Sequence, residues 1–208
     1  MQKTILTLAI LSLGLGLAEA QSTVNFSAGV GQPNLYWAGA PVPDQNEVRI
    51  GFFTSGFDFS AHLYDLNALD SAWKGYGSTL TTNIMGMQPG GFAGAATQPA
   101  GSGGASLFEG QKVYLWIFKT VSDSVPTADF SNVQGYGLFS STSNTWYFPA
   151  SGEIITGTGS INSSEIDQAW FGNYDLSHLY LDAVPEPSIA GLAVLSLGML
   201  LLAVRRKQ

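Results

Sequence analysis

Through the middle of the chain, apolar residues fall in short runs separated by Gly, Pro, Asn, Asp and Ser, the punctuation of strands and turns rather than of long helices. The clearest run is 112–120, where Val113, Leu115 and Ile117 interleave with Tyr114, Trp116 and Phe118. Both faces of that strand are apolar, so it belongs at the centre of a sheet or between two layers. Residues 47–54 and 59–64 read as further strands, and 136–139, 145–148, 153–156 and 179–182 as weaker ones. Helical spacing shows twice. Leu63, Leu66, Leu69 and Trp73 share one helical face, with Gly75 as the stop. Ser164-Glu165-Ile166-Asp167 has the form of a capping box, with Ile166 and Trp170 one turn apart and Gly172 as terminator. The pattern predicts an all-β fold: a single β-sandwich or jelly-roll-like domain over residues 21–183, with one or two short helices. Inside it, 13 of the 19 residues at 86–104 are Gly, Ala or Pro, which predicts a long surface loop.

The longest apolar runs lie at the two ends and follow a different logic. Lys3, the apolar run 5–17 and Ala18-Glu19-Ala20 are laid out as a signal peptide over residues 1–20, with cleavage between Ala20 and Gln21. At the other end, Val184-Pro185-Glu186-Pro187-Ser188 leads into an uncharged run at 189–204 and then Arg205-Arg206-Lys207. As a transmembrane helix that run is about 24 Å long, short of the roughly 30 Å hydrocarbon core but able to insert with snorkelling or local thinning. The three basic residues place its far end in the cytoplasm and the preceding domain outside. Pro185 and Pro187 exclude regular helix at the junction and push Val184 and Glu186 toward extended backbone, while Ser188 is placed to cap the span.

The order of these parts, Pro185-Glu186-Pro187, a short Leu/Ala/Gly/Val-rich span and a basic end, resembles the PEP-CTERM sorting domain of Gram-negative bacteria. The resemblance is confined to residues 184–208. It implies an exosortase as partner, a membrane enzyme that cuts near the Pro-Glu-Pro and releases or re-anchors its substrate, often in bacteria that make an exopolysaccharide matrix. With the signal peptide it implies export through the Sec machinery and signal peptidase. An inner-membrane stage would then precede a final place at the cell surface or in the matrix. The role so implied is structural rather than enzymatic.

Eight Lys and Arg against 15 Asp and Glu give the chain a charge of −7, and its four basic residues against 14 acidic ones give the stretch from Gln21 to Pro187 −10. With no basic cluster outside the tail, nucleic acid is excluded as a partner, since that affinity comes from cations neutralising phosphates. The absence of cysteine removes disulfide scaffolds, thiol catalysis and thiolate zinc sites.

Candidate chemistry is sparse. His62 and His178 are the two available imidazole bases, no Gly-x-Ser-x-Gly elbow accompanies them, and no spacing selects a carboxylate pair, so neither an enzyme nor a cofactor is expected. Asp65-Leu66-Asn67-Ala68-Leu69-Asp70 is rich in oxygen but lacks the form of a calcium loop, and no metal is expected. Asn162-Ser163-Ser164 matches a glycosylation acceptor by chance in a chain with a bacterial tail. The alternative to a structural role is a lectin-like module, because indoles offer flat faces to sugar rings. Trp73 and Trp116 fit a core, while Trp37 and Trp146, near turns, are the candidates for stacking on extracellular polysaccharide. A secreted hydrolase is the remaining option, carried by a pocket that would bring His62 or His178 beside acids and a hydroxyl.

Overall fold

The structure, a computed structural model, describes residues 22–28, 34–77, 80–81, 90–98, 107–148 and 161–184. The expected signal peptide with Gln21, the strand at 153–156, Pro185 to Ser188, the span 189–204 and the basic residues 205–207 lie outside the described residues.

Strand β8 (Tyr114–Thr120) runs between β4 (Glu47–Phe53) and β9 (Val133–Ser140), antiparallel to both. Outside these lie β11 (Gln168–Phe171) beyond β9 and β5 (Trp73–Gly75) beyond β4. Two short strands complete the sheet: β6 (Leu80–Thr81) on β4 and β14 (Asp182–Ala183) on β9. A three-stranded sheet has the order β10 (Ile161–Asn162), β1 (Ser22–Ala28), β7 (Phe92–Gln98). A four-stranded one has the order β12 (Asn173–Tyr174), β13 (His178–Tyr180), β2 (Asn34–Trp37), β3 (Ala40–Pro41). The described chain is mostly β with two short helices, as the pattern predicts, and is compatible with a sandwich.

The alternation in β8 is what divides the core. Leu115 and Ile117 join Val48 and Ile50 of β4, Phe26 of β1, Phe92 of β7, Leu35 of β2 and Leu179 of β13 in one buried cluster, which unites the large sheet with both small ones. Trp116 and Phe118 belong instead to a second cluster with Phe53, Tyr136, Leu138 and Phe130, covered by Leu66 and Leu69 of a helix. Burying an aromatic or aliphatic side chain of this kind contributes about 1.5–3 kcal/mol, so a strand with two apolar faces is held from both sides.

Several local expectations are corrected. Residues 59–64 alternate like a strand but begin helix α1 (Phe59–His62), because Asp58 caps it: Asp58 Oδ1 accepts the Ser60 N–H at 2.9 Å. The leucine stripe does form helix α2 (Leu66–Ala72), capped by Asp65, but it stops before Trp73 rather than at Gly75. Trp73 opens β5, which pairs with β4, and its ring fills the space over Gly51, where a Cβ would lie 2.5 Å from Trp73 Cζ2. The capping box at Ser164 closes one 3₁₀ turn, Ser163–Glu165, and the chain then extends into β11, so Trp170 sits in a strand and Gly172 ends no helix. At 145–148 a single bridge, Tyr147 to Lys112, replaces the expected strand.

The predicted loop at 86–104 contains β7, whose Phe92–Gln98 pairs with β1 over seven consecutive positions. Small side chains there do not prevent pairing, because the ladder is made by the backbone and Phe92 alone supplies a large anchor, packing on Phe26 at 6.2 Å.

Candidate functional site

A groove of about 740 Å³ opens between the start of α1 and the β11–β12 corner, lined on one side by Phe57, Asp58 and Phe59 and on the other by Asp167, Gln168, Trp170, Asn173 and Tyr174. Two backbone devices build its second wall. Between Ala169, opposite Phe139, and Phe171, opposite Leu138, the β11–β9 register shifts, so a bulge falls at Trp170 and re-aims its side chain. Gly172 then turns the chain at φ 87°, and a Cβ there would stand 2.4 Å from the Tyr180 carbonyl oxygen, so only glycine fits. Beyond the turn, the exposed Tyr174 donates its hydroxyl to the Asp167 carbonyl at 2.6 Å.

The aromatic wall is continuous with the core. Phe59 meets Trp170 edge-on at 5.5 Å and Phe53 at 4.7 Å, and Phe57 stacks on Phe53. Lys112 donates to Gln168 Oε1 and lies 5.7 Å from the Trp170 ring centre. Polar groups on the groove keep spare capacity. Asp58 spends Oδ1 on the Ser60 N–H and hydroxyl, Asn173 spends Oδ1 on the Tyr174 N–H, and Gln168 spends Oε1 on Lys112. The Asp58 carboxylate also receives the Ala61 N–H and keeps acceptor capacity beyond that, while the two carboxamide nitrogens make no hydrogen bond to a described residue, leaving four N–H donors by ordinary valence.

Both carboxylates are held ionised. The Ser60 hydroxyl lowers the Asp58 pKa, against a smaller opposing effect of burial. The Thr142 hydroxyl does the same for Asp167, helped by the Thr142 N–H and the Lys112 charge. Partial burial lowers Lys112, and Asp167 opposes that.

Hydroxyl-held carboxylates recur elsewhere on the surface. Asp129 is pulled down to about 2, chiefly by the Thr127 hydroxyl and then by Ser131. A depressed folded pKa contributes stability above the unfolded value of 3.8 that is lost as pH falls through the folded one. Urea midpoints are therefore expected to decline on acidification from about pH 4 toward pH 2, and less steeply in Asp129→Asn. Equal slopes in the two proteins would refute the assignment.

The residues singled out in the sequence are placed otherwise. Trp146 is wholly buried, with its indole N–H on Glu165 Oε2 at 3.0 Å, so it is a core anchor. Trp37 is half-buried over Gly135 of β9, where a Cβ would lie 2.1 Å from its ring, so the indole rests against the sheet. Neither stands on the groove; Trp170, read as helical packing, does. His62 ends α1 stacked on Phe57 at 5.2 Å. His178 lies 3.4 Å from Asp175 Oδ1 and 3.2 Å from the Tyr180 hydroxyl, an acid and a hydroxyl as a hydrolase would need, but it does not line the groove. Asp65 caps α2 by accepting the Ala68 N–H, and Asp70 pairs with Arg49, so the oxygen-rich hexapeptide is spent on structure. Among the described residues, no three His, Asp or Glu side chains gather as metal ligands. Asn162 lies in β10.

The described fold is tied down as far as Val184. Val184 N–H donates to the Gln134 carbonyl at 3.0 Å, its side chain packs on the second cluster, and Pro185 follows. Among the described residues no helix is long and apolar enough to cross a membrane. No family model matches this chain, and neither a curated protein nor a solved structure matches it.

Proposed function

We propose that this is an exported cell-surface or extracellular-matrix protein, associated with exopolysaccharide, that reaches its place through the tail at 184–208. A signal peptide at 1–20 takes the chain through the Sec machinery, and the span 189–204 with Arg205, Arg206 and Lys207 holds it in the inner membrane. An exosortase then cuts at Pro185-Glu186-Pro187, and the folded domain serves a structural role outside.

The observation that carries this reading is the register between motif and fold. β14 pairs with β9 through Asp182 and Ala183, Val184 adds one more backbone bond, and the Pro-Glu-Pro begins at the next residue. A cut at or after Pro185 leaves that pairing in place.

The test is the intact mass of the protein isolated from its host, measured separately in membrane and extracellular fractions. The extracellular form is expected to begin at Gln21 and end near Pro185, and Pro185→Ala with Pro187→Ala is expected to shift the protein into the membrane fraction. A chain that keeps its tail through Gln208 and is found in membranes alone would overturn the proposal.

A further inference from the structure

We infer that the groove between α1 and β11 binds a neutral polysaccharide, a pyranose ring lying against Trp170 and Tyr174 while its hydroxyls bond to Asp58, Gln168 and Asn173. The inference stands on the groove and does not depend on the tail.

Three features point to sugar. Pyranose rings present C–H faces that pack on aromatic rings and a rim of hydroxyls that both donate and accept. The groove offers the complement: half-buried Trp170 and exposed Tyr174 for the faces, the Asp58 carboxylate as acceptor, and the Gln168 and Asn173 carboxamides as donors left over after every bond within the described fold. Its volume of about 740 Å³ falls within the roughly 300–1,000 Å³ of ligand sites. The wall has a specific build, since the bulge at Trp170 and the left-handed Gly172 place an indole and a phenol on one surface from consecutive strands of two different sheets.

Charge chooses among sugars. Asp58 and Asp167 line the groove, and among the described residues its lining holds no Lys or Arg; Lys112 nearby, hydrogen-bonded to Gln168, offsets part of the Asp167 charge. A uronate polymer meets net repulsion, from Asp58 above all, and a neutral one does not. Hydroxyl hydrogen bonds lower both carboxyls, the wrong direction for a general acid at neutral pH.

The test runs the full chain, kept in detergent, through native gels containing dextran, laminarin, galactomannan or polygalacturonate. At least one neutral polymer is expected to retard it, polygalacturonate less so. Tyr174→Ala and Trp170→Ala should each weaken retardation about tenfold, and Asp58→Asn, which keeps the helix cap, should narrow the preference for neutral polymer. Trp170 also packs on Phe59 and Tyr114, so its loss affects folding. Tyr174→Ala, at an exposed strand edge, keeps the result decisive, with melting curves as the control. The inference fails if no neutral polymer retards the chain, if Tyr174→Ala migrates like the parent, or if polygalacturonate binds best. None of these outcomes alters where the tail is cut, so the two proposals fail separately.

Discussion

Trp146→Ala is expected to remove about 3–5 kcal/mol of stability. The indole is wholly buried although it sits in a loop, and its cluster draws on both small sheets and the large one. The loop cannot collapse into the space left behind, because its backbone is pinned: Trp146 N–H donates to the Ser143 carbonyl at 3.0 Å and its own carbonyl accepts the Val113 N–H at 2.9 Å. Cavity volume is therefore retained, and retained cavities give the upper end of truncation losses. For a domain of this size the melting temperature is expected to drop by about 6–20 °C, at 2–4 °C per kcal/mol. Trp146→Phe should lose much less, since Glu165 Oε2 keeps its bond from the Thr145 hydroxyl at 2.8 Å. A loss below about 1 kcal/mol in Trp146→Ala would show that the ring is not a core anchor, and would reopen it as a ligand platform.

That Trp146 looks like a surface residue from sequence shows what periodicity reports. Period-two alternation identifies a residue's face only where the chain is a strand. It worked over 114–120, where the two faces of β8 go to two clusters. Trp146 lies where no regular element imposes a period, so proximity to turns said nothing about depth. α1 was missed because four residues cannot show a helical period, and the cap at Asp58 was its only signal. β7 was missed because composition measures side chains, whereas the ladder to β1 needs backbone alone. The groove was illegible for a different reason. Its walls come from 57–63 and 167–174, which topology brings together and local pattern cannot, and a bulge at Trp170 broke the alternation that would have marked a strand. Gly172 fits a helix terminator by sequence, but a glycine closing an aromatic-containing run is also the mark of a left-handed corner between strands.

Arg49→Ala is expected to cost about 3–5 kcal/mol as well, by a mechanism that apolar truncation does not share. Arg49 projects from β4 into the aromatic face of the second cluster, with its guanidinium carbon 4.8 Å from the Phe118 ring centre, 5.4 Å from Trp116 and 5.6 Å from Phe130. Two carboxylates flank it: Glu47 at 3.1 Å and Asp70 at 2.8 Å. They are not equivalent. Asp70 is half exposed and its charge is screened by water, so its share is small. The Glu47 side chain is 6% exposed, and the Arg49 contact is a charge pairing rather than an aligned hydrogen bond. Removing the guanidinium strands a buried carboxylate and uncovers three ring faces together. Two further variants separate these effects. Arg49→Lys keeps the charge but loses the planar fork that lies on the rings, and is expected to fall between the parent and Arg49→Ala. Glu47→Gln placed on Arg49→Ala removes the stranded charge and is expected to return a good part of the loss, a coupling that urea midpoints at constant m would read directly. If Glu47→Gln brings no recovery, the cost of Arg49→Ala lies in the uncovered rings alone, and Glu47 is not a buried charge that depends on Arg49.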